Sequence, residues 1–214
     1  MKASESLRLA ILDRDGTLID VVRDAETGTI TTAFHPQQIR VLDGVLEGLQ
    51  ALVDAGYLLA IVTNQPGPAK GHFGRDAVER TNAALVAMLA ARGLPIARVD
   101  SCMHHPEGGE GGDPTLIGPC ACRKPQPGML LDTMQALGAR PERTWMIGDS
   151  SADVAAGHAA GVRVGLLFAD NRCELCPLRD GPKVTPTCHA SKLPALVRAI
   201  LDIDSATARA NRGK

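Results

Sequence analysis

At 214 residues and a formal net charge of −1, the chain has the length of one domain and presents no basic surface for a nucleic acid. Apolar residues make up 44% of it but aromatics only 2%, so its core must be built from Leu, Val, Ile and Ala. The first residues carry no apolar signal region, and no stretch approaches the roughly 20 apolar residues that span a bilayer. A soluble, cytoplasmic protein with no membrane partner is expected.

Leu7–Leu12 reads as a short buried strand that runs into ILDRDGTLID, where Asp13 and Asp15 stand one residue apart. Two like charges at the end of a buried strand repel each other and lose hydration. Either a cation sits there or the acids do chemistry. Val21–Val41 breaks the pattern, with turn residues at Glu26–Gly28, and is expected to form a hairpin flap (about 20–41) above the crevice. GVLEGLQALVDAG places Val45, Leu46, Leu49, Leu52 and Val53 on one helical face, with Gly56 as the stop. Leu58–Asn64 is a second strand, ending on Thr63 and Asn64. RDAVERTNAALVAMLAARG is a helix, and RVDSCMHH a weaker strand. A loop rich in Gly and Pro follows, over about 102–122. PGMLLDTMQALG, SADVAAGHAAG and LPALVRAILDI read as helices. Arg143–Asp149 and Val162–Phe168 read as strands between them. Residues 205–214 look like a frayed, flexible polar tail after a single domain over 1–204.

Strands that alternate with helices imply right-handed crossovers and a central parallel sheet covered on both faces. In such sheets function gathers at the carboxyl ends of the strands. Asp13, Asp15, Thr63, Asn64 and Asp149 should therefore converge on one crevice. A carboxylate can accept a phosphoryl group. A second one can protonate the leaving oxygen and then activate water. A divalent cation offsets the accumulated charge, and magnesium suits oxygen donors. Thr63, Asn64 and Lys124 would hold phosphoryl oxygens.

The six cysteines fall into two groups. Cys102, His104, Cys120 and Cys122 make a tetrahedral zinc set on either side of the glycine-rich loop. Strand alternation puts His104, not His105, on the face of Cys102. The loop has little apolar surface of its own, so a metal clip would supply folding energy. Cys173, Cys176, Cys188 and His189 form the second group, for which a second zinc, free thiols and a disulfide all stay open.

DRDGT at 13–17, TN at 63–64, Lys124 and GDSSAD at 148–153 resemble the four ordered motifs of the haloacid dehalogenase (HAD) superfamily of phosphatases. The resemblance implies a Rossmann-like three-layer α/β sandwich with a minimal cap. It implies Asp13 as nucleophile, Asp15 as general acid/base, and Thr63 and Lys124 as phosphate ligands. Magnesium would be held by Asp13, the backbone carbonyl of Asp15 and Asp149, with Asp153 behind them or orienting the lysine. CMHHP and CACRKPQPGML resemble the zinc-bearing branch that contains the heptose bisphosphate and histidinol-phosphate phosphatases, in which zinc is structural and Arg123 meets the substrate. The long loop and TNQPGPAKG resemble the heptose type, with Gln65 near a small sugar bisphosphate, on a chain expected to be monomeric. Ser150 departs from that type, which carries a lysine there. Histidinol phosphate is the alternative substrate. A non-catalytic zinc-stabilised binding module is a further alternative, opposed by the intact acids.

Overall fold

Side-chain alternation along the first strand decides the layering. Leu9 and Ile11 pack on one face, Ala10 and Leu12 on the other, and all four are buried. A strand covered on both faces belongs in the middle of a sheet. The computed structural model describes residues 7–23, 26, 28, 30–168 and 184–212. In chain order the strands are β1 (Arg8–Leu12), β2 (Val22–Arg23), β3 (Ile30–Thr31), β4 (Tyr57–Asn64), β5 (Ile96–Cys102), β6 (Thr144–Gly148), β7 (Arg163–Leu167) and β8 (Cys188–Ala190). The helices are α1 (Val45–Asp54), α2 (Arg75–Ala90), α3 (Gly128–Leu137), α4 (Ser151–Ala159) and α5 (Leu193–Arg212).

The main sheet has six strands in the order β5-β4-β1-β6-β7-β8, and every pairing in it is parallel. Leu12 pairs with Ile61 of β4 on one side and Ile147 of β6 on the other, so the ends of these three strands lie level. One face is closed by Leu49 and Leu52 of α1, Leu85 and Leu89 of α2, and Leu196, Val197 and Ile200 of α5. The other is closed by Met129, Leu130 and Met134 of α3 and Val154 and Ala156 of α4. This is the three-layer α/β sandwich expected. No helix among the described residues is long and apolar enough to cross a membrane.

Two features differ from the sequence reading. The short strand β8 joins the sheet edge through Leu166 and His189, although its three residues are too few to show a period. The tail expected to fray from residue 205 instead continues α5 to Arg212. Its Ala- and Arg-rich segment carries no helix breaker before Gly213, so the helix propagates. That helix also carries Asp204, which is buried. Asp204 accepts from the Tyr57 hydroxyl and from Trp145 Nε1 at 3.2 Å, and pairs with Arg163 at 2.5 Å. The Arg163 guanidinium lies 4.6 Å above the Trp145 ring. One carboxylate thus pins the last helix to β4, β6 and β7 at their amino ends.

Candidate active site

The ends of β4, β1 and β6 carry the site. Asp13 follows β1 directly, and its N–H continues the ladder by donating to Ile147 O at 2.8 Å. The chain then turns sharply at Gly16, whose φ of +83° suits only glycine. Asp13, Thr63, Lys124 and Asp149 are all buried. Lys124 reaches across from the segment after the cysteines. Its Nζ donates to Asp13 Oδ1 at 2.7 Å and to Val62 O at 3.1 Å, and pairs with Asp153 Oδ1 at 2.6 Å. Burial opposes its charge, but Asp13 and Asp153 outweigh that and hold the ammonium above its ordinary value. Burial raises the Asp13 carboxyl above its ordinary value, against the pull of Lys124 and with Asp153, Asp15 and Asp149 adding to it.

Carboxylate oxygens of Asp13, Asp149 and Asp153 lie within 4.8 Å of one another. Their charge exceeds what Lys124 alone offsets, and an all-oxygen donor set fits a hard cation such as magnesium. Asp153 is already engaged: Oδ2 accepts from Ser150 N at 3.1 Å and Ser150 Oγ at 2.6 Å. Ser150 is the N-cap of α4 in a reciprocal capping box, which gives this departure from the lysine pattern a structural task.

Asp15 faces a different set of partners. Its Oδ2 accepts from Gln65 Nε2 at 2.7 Å, and its Oδ1 from Thr32 Oγ1 at 2.8 Å. Gln65 is fully buried and also donates to Thr63 Oγ1 at 2.7 Å. Asn64 forms a reciprocal pair with the backbone of Lys124, donating to its O at 2.9 Å and accepting from its N at 3.1 Å. Both amides, expected at the substrate, thus hold Asp15 and the lysine segment. Beside Asp149 opens a cavity of about 520 Å³, lined by Thr17, Arg23, Arg40 and Lys192 among others.

Cys102, His104, Cys120 and Cys122 come together as one cluster. Cys102 Sγ lies 3.7 Å from Cys120 Sγ and 3.8 Å from His104 Nδ1, and Cys122 Sγ lies 3.5 Å from that nitrogen. Cys122 Sγ stands closer to the other two sulfurs, 3.0 Å from Cys102 and 3.4 Å from Cys120. A tetrahedral zinc with thiolates at about 2.3 Å sets its ligand atoms about 3.8 Å apart, so this donor set suits zinc with Cys122 drawn outward. The thiols are free, not bridged. His105 turns into the loop and accepts from Gly108 N at 3.1 Å. Arg123, next after Cys122, donates to His104 O at 3.2 Å, so clip and cation share a hydrogen bond.

The glycine-rich loop also rests on backbone contacts. Asp113 N donates to Pro68 O at 3.0 Å, and a Cβ on Gly112 would stand 2.0 Å from Ala69 O. Backbone therefore lies on backbone, with room for glycine alone. The flap is a small antiparallel hairpin, β2 with β3, anchored where Phe34 stacks on Phe73 at 4.9 Å. Of the second cysteine group, Cys173 and Cys176 lie outside the described residues. Cys188 is half-buried in β8 with its thiol pushed up to about 11 by burial, while the neighbouring His189 is exposed. Neither belongs to a metal-ligand cluster among the described residues. Thr32, Phe34 and Asn82 also join the site region, and no sequence motif marked them; Arg14 joins it too, from within DRDGT, a motif that pointed to its two acids and not to the arginine.

A family model of HAD-like hydrolases matches residues 121–190. The D-glycero-beta-D-manno-heptose-1,7-bisphosphate 7-phosphatase of Pasteurella multocida is 38% identical over 153 residues, covering 71% of this chain and 76% of that one. The chain belongs to the heptose bisphosphate phosphatase family of HAD-like hydrolases. The Escherichia coli member is 30% identical over 86% of this chain and 85% of its own length. In three dimensions the chain resembles the D,D-heptose 1,7-bisphosphate phosphatase of B. bronchiseptica, with a TM-score of 0.71, 27% identity, and coverage of 92% of this chain and 99% of that one. That enzyme was crystallised with magnesium and phosphate.

Proposed function

We propose that the chain is a magnesium-dependent phosphomonoesterase that removes the 7-phosphate of D-glycero-β-D-manno-heptose 1,7-bisphosphate. The observation that carries this reading is the buried carboxylate of Asp13 at the end of the central strand, with Lys124 Nζ at 2.7 Å and two further carboxylates beside it. Relatives named for that activity supply the substrate. Asp13 attacks phosphorus; the bond to the sugar oxygen breaks as an Asp13–phosphorus bond forms. Asp15 gives its proton to the leaving oxygen, then takes one from the water that releases phosphate and restores Asp13. Lys124 and Thr63 hold the phosphoryl oxygens, and Arg123 meets the sugar bisphosphate from the zinc loop. Asp13, the backbone carbonyl of Asp15 and Asp149 would hold magnesium, which when bound neutralises charge on the phosphoryl group. Zinc at Cys102, His104, Cys120 and Cys122 would be held by four protein ligands, leaving no open position for chemistry. The enzyme works as a cytoplasmic monomer with one domain and an open site.

The test is a panel of phosphate esters assayed with purified protein and magnesium. Heptose 1,7-bisphosphate should be preferred, yielding the 1-phosphate and inorganic phosphate. Preference for histidinol phosphate would overturn the substrate, and failure on the whole panel would overturn the activity.

A further inference from the structure

Arg14 sits between the two acids in sequence and is fully buried. A buried guanidinium is costly unless its nitrogens find acceptors. Here all three nitrogens donate. Nε donates to Asp15 Oδ2 at 3.1 Å and Nη2 to Asp15 Oδ1 at 3.2 Å, a fork on both oxygens of one carboxylate. Nη2 also reaches Thr32 Oγ1 and Ala33 O of the flap, the latter at 2.9 Å. Nη1 donates to Asn82 Oδ1 of α2 at 2.7 Å, and Asn82 is itself fixed by donating to Ser101 Oγ in β5 at 2.8 Å. The arginine therefore has a rigid back wall, a carboxylate in front and the flap above. A two-point fork leaves the carboxylate plane one orientation, which a single contact cannot do.

We propose that Arg14 is a positioning residue for Asp15, aiming its carboxyl at the leaving oxygen while Gln65 holds Oδ2 at 2.7 Å, and that the flap completes the clamp through Thr32 and Ala33. This rests on the assignment of Asp15 as acid/base. Arg14 contacts neither Lys124 nor Asp13 in the hydrogen-bond network described, so its loss should spare the nucleophile and strike proton delivery.

Leaving-group dependence separates these. An alkyl phosphate needs its oxygen protonated as the ester bond breaks, whereas 4-nitrophenyl phosphate leaves as a stable anion. First-turnover rates are measured for both esters with wild type, Arg14→Lys and Arg14→Gln. The variants should slow the alkyl ester roughly 10–100-fold, part of the usual acid–base contribution, and the nitrophenyl ester by no more than about threefold. Equal losses on both esters, or no loss on either, would overturn the proposal. If circular dichroism shows that the arginine variants do not fold, Thr32→Val removes the flap's hydroxyl from the clamp with Arg14 intact. It should give the same selective loss, smaller in size; a uniform effect or none overturns the proposal. A wild type inactive on every ester would instead remove the phosphatase reading itself.

Discussion

Asp13 and Lys124 form a buried pair in which each group makes the other tolerable. Asp13→Asn keeps the shape of the side chain but removes the nucleophile, so turnover should fall to background while the protein stays folded. Kinetics beside a thermal melt checks this, and measurable turnover in a clean preparation would refute it. Lys124→Met is predicted to be harsher on the fold. It leaves Asp13 and Asp153 buried without their shared cation, at a cost of about 3–5 kcal/mol, which magnesium should partly restore. A denaturant titration with and without magnesium measures both effects. These residues were legible in sequence because each terminates an apolar run or follows a cysteine motif at a defined spacing. Arg14 was not. A charge flanked by charges reads as solvated, and only tertiary structure reveals that flap and α2 bury it.

Among the elements, the flap and the zinc loop both lean on the segment after β4. Phe34 of the flap stacks on Phe73, and the glycine-rich loop lies on Pro68 and Ala69. Phe34→Ala should loosen the flap and raise KM several-fold with a smaller change in kcat. Cys120→Ser should lower zinc content in metal analysis and raise KM, because Arg123 and Lys124 directly follow the clip and misplaced positioning groups are costly. A Cys120→Ser protein with full zinc and unaltered kinetics would remove the clip from the account. Most helices were legible from their period, the strands of the sheet other than β8 from apolar runs between them, and the hairpin from its turn residues. What pattern could not show is that the loop glycines answer to close contact. Gly112 touches a backbone distant in sequence, and nothing local announces it.

At the level of the whole molecule, the last helix is fastened by one buried carboxylate. Asp204→Ala would leave the Tyr57 hydroxyl, the Trp145 N–H and the Arg163 guanidinium without their acceptor. A loss of roughly 3 kcal/mol is expected, and with it a fall in Tm of about 6–12 °C for a chain of this size. Activity at low temperature should survive, since the network lies at the opposite ends of the strands from Asp13. The sequence showed α5 only in part, because its polar second half has no apolar period, and Asp204 looks like any surface acid until Tyr57 and Trp145 close over it. Trp145 is also the single tryptophan of the chain and is fully buried. Its intrinsic fluorescence is therefore a built-in optical gauge of the sheet. Emission should be blue-shifted in the native protein and change when the contact between β6 and α5 is altered or lost. Cys120→Ser and Phe34→Ala should leave that spectrum untouched while Asp204→Ala, which removes the acceptor of the Trp145 N–H, alters it, so one cuvette measurement can tell loosening at the site from a change at the opposite end of the sheet.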